Sequence, residues 1–118
     1  MKNKLFDSEF KLMEILWEKE PVSAKEISII ASDRIGWNKN TTYTIIKKLI
    51  EKGIIERSEP GFICRALASR NEVRKEETES LIKRLYGGSR SALFSSLLED
   101  KALSKEEIEE LKKMLGGM

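Results

Sequence analysis

The side chains with the clearest chemical potential lie in one segment, WNKNTTYTIIKKLIEKG, from Trp37 to Gly53. If this segment is helical, with 100° between successive residues, its apolar and polar positions fall on opposite sides. The inward side comprises Thr42, Ile45, Ile46, Leu49 and Ile50, and the polar side comprises Asn40, Thr41, Thr44, Lys47 and Lys48, with Tyr43 at its edge. Asparagine can bond adenine, a threonine methyl can touch the thymine methyl, and lysines attract phosphate. The polar side is therefore typical of a helix that lies in the major groove of DNA.

Residues suited to catalysis or metal binding are scarce. The chain has no histidine and a single cysteine, Cys64. This composition removes the commonest general base and the commonest zinc ligand, and it excludes a Cys/His metal cluster. The many glutamates lie in helical charge runs such as SKEEIEELKKM, where a solvated face is their ordinary role. We therefore expect neither an enzyme nor a cofactor-binding protein.

The formal net charge of +2 over 118 residues does not by itself indicate a nucleic-acid partner. The distribution of charge is more informative, because the segment from Asn38 to Arg57 has five basic residues against two acidic ones. One cysteine permits no intramolecular disulfide, and no stretch approaches the ~20 apolar residues that span a bilayer. The N-terminus lacks a signal-peptide core, and we expect a cytoplasmic protein.

The first half of the sequence predicts three helices and a hairpin. A helix over about 8–19 is expected to be capped by Asp7 or Ser8, and a second begins at the Ser23–Glu26 capping box and ends near residue 31. The third runs from residue 39 or 40 to 52, with a glycine as C-cap. Short β-like runs at 54–57 and 62–66 flank the turn residues 59–61. This order is the outline of a winged helix-turn-helix, in which Arg57 and Arg65 of the hairpin could reach the DNA backbone.

The second half predicts three short helices. One spans about 71–86 after the Ser69–Glu72 capping box, one spans 89–98, and one runs from the Ser104–Glu107 capping box onward. We expect a mostly α protein with a winged-helix DNA-binding domain at 1–70 and a helical dimerisation domain at 71–118. A piece of this size is too small to build a robust core alone, so a second copy is expected to complete it. The dimerisation residues are predicted to be Leu81, Leu85, Leu93, Phe94, Leu97, Leu98, Ile108 and Leu111.

Four stretches carry a resemblance to a known family: LFDSEFKLMEILWEKEPVSAKEI, WNKNTTYTIIKKLIEKGII, KEETESLIKRLYGG and LSKEEIEELKKML. They cover most of the chain, which resembles the penicillinase-repressor (BlaI/MecI-like) family of winged-helix transcriptional repressors. The resemblance implies a homodimer on a dyad-symmetric operator. It also implies control of β-lactam resistance genes and induction by a protease that cuts the dimerisation domain.

The chain departs from this family at several positions. Lys39 and Asn40 stand where relatives often have Pro and Lys, so base preference could differ. The hairpin reads GFICRALAS rather than being rich in tyrosine. Relatives are cut between Asn and Phe, whereas the matching pair here is Ser96-Leu97, a candidate cleavage point at which the usual residues are not preserved. The paired cysteines of a copper-sensing branch are absent.

Two functional hypotheses follow. The first is a homodimeric, operator-binding repressor whose DNA contacts come from Asn40, Thr41, Tyr43, Thr44, Lys47, Lys48 and Arg57. The alternative is a winged-helix protein–protein interaction module without DNA binding, in which the polar side of the third helix is only a solvated surface. The position of that helix, after a helix-turn-helix and before a hairpin, favours the first hypothesis.

Overall fold

The computed structural model describes residues 4–99 and 103–116. Nine elements lie within these residues: α1 (Asp7–Lys19), β1 (Val22–Ser23), α2 (Ala24–Arg34), α3 (Lys39–Glu51), β2 (Ile55–Ser58), β3 (Ile63–Ala66), α4 (Arg70–Tyr86), α5 (Arg90–Glu99) and α6 (Lys105–Gly116). The predicted helices and hairpin are confirmed, except that α2 continues to Arg34, beyond its predicted end near residue 31. The architecture is a winged helix-turn-helix followed by helices. None of the helices in the described part combines the length and apolarity needed to cross a bilayer.

The strands form one antiparallel sheet in the order β1-β3-β2. Strand β2 pairs with β3 so that Arg57 lies opposite Cys64, and Val22 of β1 lies opposite Cys64 on the other side. The two residues of β1 were not predicted. Their pairing closes the hairpin against the start of α2, where the Ala24 N–H donates to the Phe62 carbonyl at 2.9 Å.

The chain divides into two compact units, residues 1–77 and residues 78–118. The first unit has a continuous core of side chains from α1, α2, α3, the sheet and Val73 at the start of α4. The Leu5 N–H also donates to the Glu77 carboxylate at 3.1 Å, within the same unit. The division into folding domains at 1–70 and 71–118 stays a prediction.

Three helices, α2, α4 and α6, start at the predicted capping boxes. The Ser23, Ser69 and Ser104 hydroxyls each accept from the backbone N–H three residues later, at 3.1 Å. The prediction that Asp7 or Ser8 caps α1 is wrong, because Phe6 occupies the cap position. The Phe6 side chain makes no capping hydrogen bond, but the Glu9 carboxylate reaches back and accepts the Phe6 N–H at 2.9 Å, which satisfies one backbone donor at the helix start.

The second unit has little interior of its own. Among the described side chains of residues 78–114, Ile82 is the one that is buried, and α5 has no buried residue. Large apolar side chains remain exposed on its helices, namely Leu81, Leu85, Phe94, Leu98 and Met114. Exposed apolar side chains in this number are typical of a surface that another protein covers.

Candidate nucleic-acid interface

Helix α3 begins at a side-chain cap that the sequence analysis missed. The Asn38 side-chain oxygen accepts the Thr41 N–H at 2.8 Å, which satisfies one of the free donors of the first turn. Asparagine directly before an amphipathic run is a recognised start signal, so the sequence did contain this information. Because Asn38 provides the cap, Asn40 stays exposed with its amide available to an outside partner.

The two sides of α3 are divided as the helical spacing predicts. The inward side is buried at Thr42, Ile45, Ile46 and Leu49, with Ile50 half-buried. The opposite side is exposed at Asn40, Thr41, Thr44, Lys47 and Lys48. Five of the seven predicted DNA-contact residues thus share one accessible face, which we call the reading face. Their contact with DNA stays a prediction.

Two threonines of α3 bond to the helix backbone. The buried Thr42 hydroxyl donates to the Asn38 carbonyl at 3.3 Å. The exposed Thr44 hydroxyl donates to the Asn40 carbonyl at 2.8 Å. Because its proton is already committed, Thr44 presents a methyl group and acceptor lone pairs to solvent rather than a free donor.

The lysines of α3 differ in their surroundings. Lys47 and Lys48 are exposed, and neither has an ion pair with the described part of the chain. Lys52, by contrast, lies 2.7 Å from the Glu9 carboxylate and 4.6 Å from the Phe6 ring centroid. Lys47 and Lys48 therefore lie on the reading face without an ion pair among the described residues, and Lys52, directly after α3, belongs to the framework.

Tyr43 links the reading face to the hairpin, which forms the wing. Its ring is half-buried and meets the Phe62 ring edge to face, with the centroids 5.8 Å apart. The Lys39 ammonium lies 5.7 Å from the Tyr43 ring centroid on the same helix. Phe62 itself has a left-handed backbone, with φ of 51°, after Gly61 at φ of 94°. The helical spacing placed Tyr43 at the edge of the face but gave no sign of its partner across the hairpin.

Arg57 lies beside this aromatic pair. Its guanidinium carbon is 3.6 Å from the Phe62 ring centroid, and its Nε donates to the Glu59 carboxylate at 2.8 Å. The hydrogen bond from Arg57 holds the pKa of Glu59 below its ordinary value, and the same bond raises the pKa of Arg57. The structure thus places Arg57 against Phe62, the same ring that Tyr43 contacts, but as a paired rather than a free cation. Arg65 lies in the next strand, opposite Glu56, and is exposed.

Cys64 lies in the core below the wing. Burial raises the pKa of its thiol to about 11, so it stays protonated at neutral pH. No three His, Cys, Asp or Glu side chains in the described residues come together in a way that could hold a metal ion.

Comparison with known proteins identifies the family of this chain from its sequence. A family model described as "Penicillinase repressor" matches residues 5–117. The chain belongs to the penicillinase repressor family. Members of this family are DNA-binding transcriptional repressors rather than enzymes, and this chain is a repressor of that type.

Similar members of the penicillinase repressor family span nearly the same length. The methicillin resistance regulatory protein MecI of Staphylococcus aureus is 29% identical over 120 residues, covering 98% of each chain. The penicillinase repressor of Bacillus licheniformis is 26% identical over 111 residues, covering 92% of this chain and 87% of that protein. The solution structure of the DNA-binding domain of the repressor BlaI superimposes with a TM-score of 0.56 at 20% identity, over 61% of this chain and 90% of that one. That likeness supports the winged-helix fold.

Proposed function

We propose that this repressor binds a dyad-symmetric DNA operator as a homodimer, with α3 in the major groove and the hairpin as a wing. The observation that carries this proposal is the reading face, where short hydrogen-bonding side chains and two lysines project from a helix with a buried opposite side, and neither lysine has an ion pair among the described residues. Short side chains allow the backbone to come close to the base edges, and the lysines lie further along the same face. This division between base and phosphate contacts is typical of recognition helices.

Within this proposal, the reading-face residues have separate roles. Asn40 and Thr41 lie in the first turn of α3, nearest the base edges, and Thr44 follows one turn later. Lys47, Lys48 and Arg57 bind phosphates, which adds affinity without sequence preference. Tyr43 holds the wing beside the helix through Phe62. A variant at a base-contacting position should change sequence preference, whereas a variant at a phosphate-contacting lysine should weaken binding to all sequences alike.

Dimerisation is assigned to the second unit. Leu81, Leu85, Phe94 and Leu98 are exposed there, and the other predicted dimerisation residues are half-buried, namely Leu93, Leu97, Ile108 and Leu111. A second copy supplies the missing cover, and a two-fold axis makes the same patch complementary to itself. Two recognition helices about one DNA turn apart, ~34 Å, would then read two half-sites together.

The regulated genes and the release signal are part of the same proposal. Relatives carry names that refer to methicillin resistance and penicillinase, and we assign this repressor to genes of β-lactam resistance, acting in the cytoplasm. A regulatory protease would release it by cutting Ser96-Leu97, which lies inside α5 with both residues half-buried. The cut would separate residues 97–118 from the rest and remove part of the dimer surface. Because both residues lie within a helix, α5 must open locally before a protease can bind the bond.

The proposal is tested by selecting bound duplexes from a random pool with the full-length protein. Binding of a selected duplex and of a scrambled duplex is then titrated at several salt concentrations. We expect a preferred sequence with two-fold symmetry, and a steep fall in affinity as the salt concentration rises. No selected sequence and no salt-dependent binding would favour the alternative, a protein-interaction module.

A further inference from the structure

The wing carries its own counter-ion for the arginine expected to reach DNA. Arg57 and Glu59 are two residues apart, and the Arg57 Nε donates to the Glu59 carboxylate at 2.8 Å. Their side chains are 42% and 58% exposed, so the pair lies at the surface, where a phosphate could approach it. Lys47 and Lys48 have no such partner among the described residues.

The aromatic ring of Phe62 joins this ion pair to Tyr43, which lies at the edge of the reading face. Arg57 lies over one part of the Phe62 ring, 3.6 Å from its centroid, while the Tyr43 ring of α3 meets the same ring edge to face. The Phe62 carbonyl is bonded to the start of α2, so its backbone is anchored. Phe62 therefore positions the Arg57 guanidinium next to α3. The ion pair with Glu59 neutralises the positive charge of that guanidinium.

We propose that the Glu59 carboxylate competes with a DNA phosphate for Arg57 and so limits the contribution of the wing to DNA affinity. This inference rests on the proposed function, since it requires that the wing approaches DNA. An arginine paired with a carboxylate adds no net positive charge, and an unpaired carboxylate next to a phosphate is repelled. An ion pair between two exposed side chains is weak, so phosphate can displace Glu59, but the displacement lowers the net gain from binding.

The test is a set of charge-neutralising variants in the full-length protein. Glu59→Gln removes the charge but keeps an oxygen that can accept a hydrogen bond in the turn. Glu56→Gln is the matched control, because Glu56 is exposed on the same strand but points to the other side of the sheet from Arg57. Each change is also made in an Arg57→Gln background, and binding to the selected and scrambled duplexes is measured by fluorescence anisotropy.

We expect Glu59→Gln to raise affinity about two- to fivefold on both duplexes, and to steepen the dependence of log K on log salt by about one. The gain should fall to that of Glu56→Gln once Arg57 is replaced, because the two residues act as one unit. Equal effects of the two Gln variants, a gain that still exceeds that of Glu56→Gln in the Arg57→Gln background, or weaker binding by Glu59→Gln would each overturn the inference while leaving the proposed function intact. Failure of the parent protein to bind either duplex would overturn both.

Discussion

The Lys52 ammonium lies 2.7 Å from the Glu9 carboxylate, and this ion pair joins the end of α3 to the start of α1. Glu9 is 2% exposed, whereas the Lys52 side chain is 35% exposed. The same carboxylate oxygen accepts the Phe6 N–H, so one buried acid satisfies a helix start and holds a neighbouring helix. A buried charge with a single cationic partner depends strongly on that partner.

The first prediction concerns stability. Lys52→Met keeps the aliphatic stem but leaves the buried Glu9 charge without its cation, so the free energy of unfolding should fall by about 1–3 kcal/mol. Urea denaturation of the full-length protein at fixed concentration measures the loss. Lys48→Met is the control, because Lys48 is exposed and unpaired in the described structure. Adding Glu9→Gln to Lys52→Met should recover part of the loss, and equal stability of the two Met variants would contradict the argument.

The second prediction separates two asparagines that are two residues apart. Asn38→Ala removes the α3 cap and should lower the free energy of unfolding by about 1 kcal/mol. Asn40→Ala should change stability by less than about 0.5 kcal/mol, because that side chain is exposed. It should instead reduce discrimination between the selected operator and single-base variants. Thermal unfolding and operator titration of both proteins decide this, and the assignment fails if Asn40→Ala alters stability alone.

The third prediction follows from the hydrogen bond of Thr44 to the Asn40 carbonyl. Since the hydroxyl proton is directed inward, the methyl group is the contact we expect at a thymine. Thr44→Val should keep most operator preference, whereas Thr44→Ser should lose on the order of 1 kcal/mol. Replacing operator thymines by uracil one at a time locates the contact, because removing the right methyl should weaken the parent but not Thr44→Ser. A Val variant that binds worse than the Ser variant would point to the hydroxyl instead.

Sequence reasoning predicted those features that repeat along the chain. The two sides of α3 follow from spacing, because burial on a helix recurs every three to four residues. The three serine caps follow from a serine with a glutamate three residues later, which is a local pattern. Contacts between segments that are far apart in the sequence produce no periodic pattern, so they were not predicted. Strand β1 is two residues long and pairs with β3 some 40 residues later, and the Tyr43–Phe62 contact joins a helix to a hairpin. The Glu59 partner of Arg57 was visible only as a turn residue, since two neighbouring charges need not bond.

The last prediction tests the role of the second unit. Leu85 and Leu98 are 61% and 51% exposed in the second unit, where Ile82 is the one buried side chain among those described. If a second copy covers them, an aspartate at either position places a charge in the interface of both protomers. Because the interface is two-fold symmetric, the apolar contact is lost in both protomers. Leu98→Asp should therefore weaken dimerisation about 100-fold or more. Ser95→Asp, at an exposed polar position of the same helix, is the matched control.

Sedimentation velocity at micromolar concentration should find the parent and Ser95→Asp as dimers and Leu98→Asp as a monomer. The monomer should retain the helical signal of the first unit but bind the operator weakly, because each half-site must then be bound separately. A monomeric parent, or a Leu98→Asp variant that dimerises like Ser95→Asp, would show that these leucines face something other than a second copy.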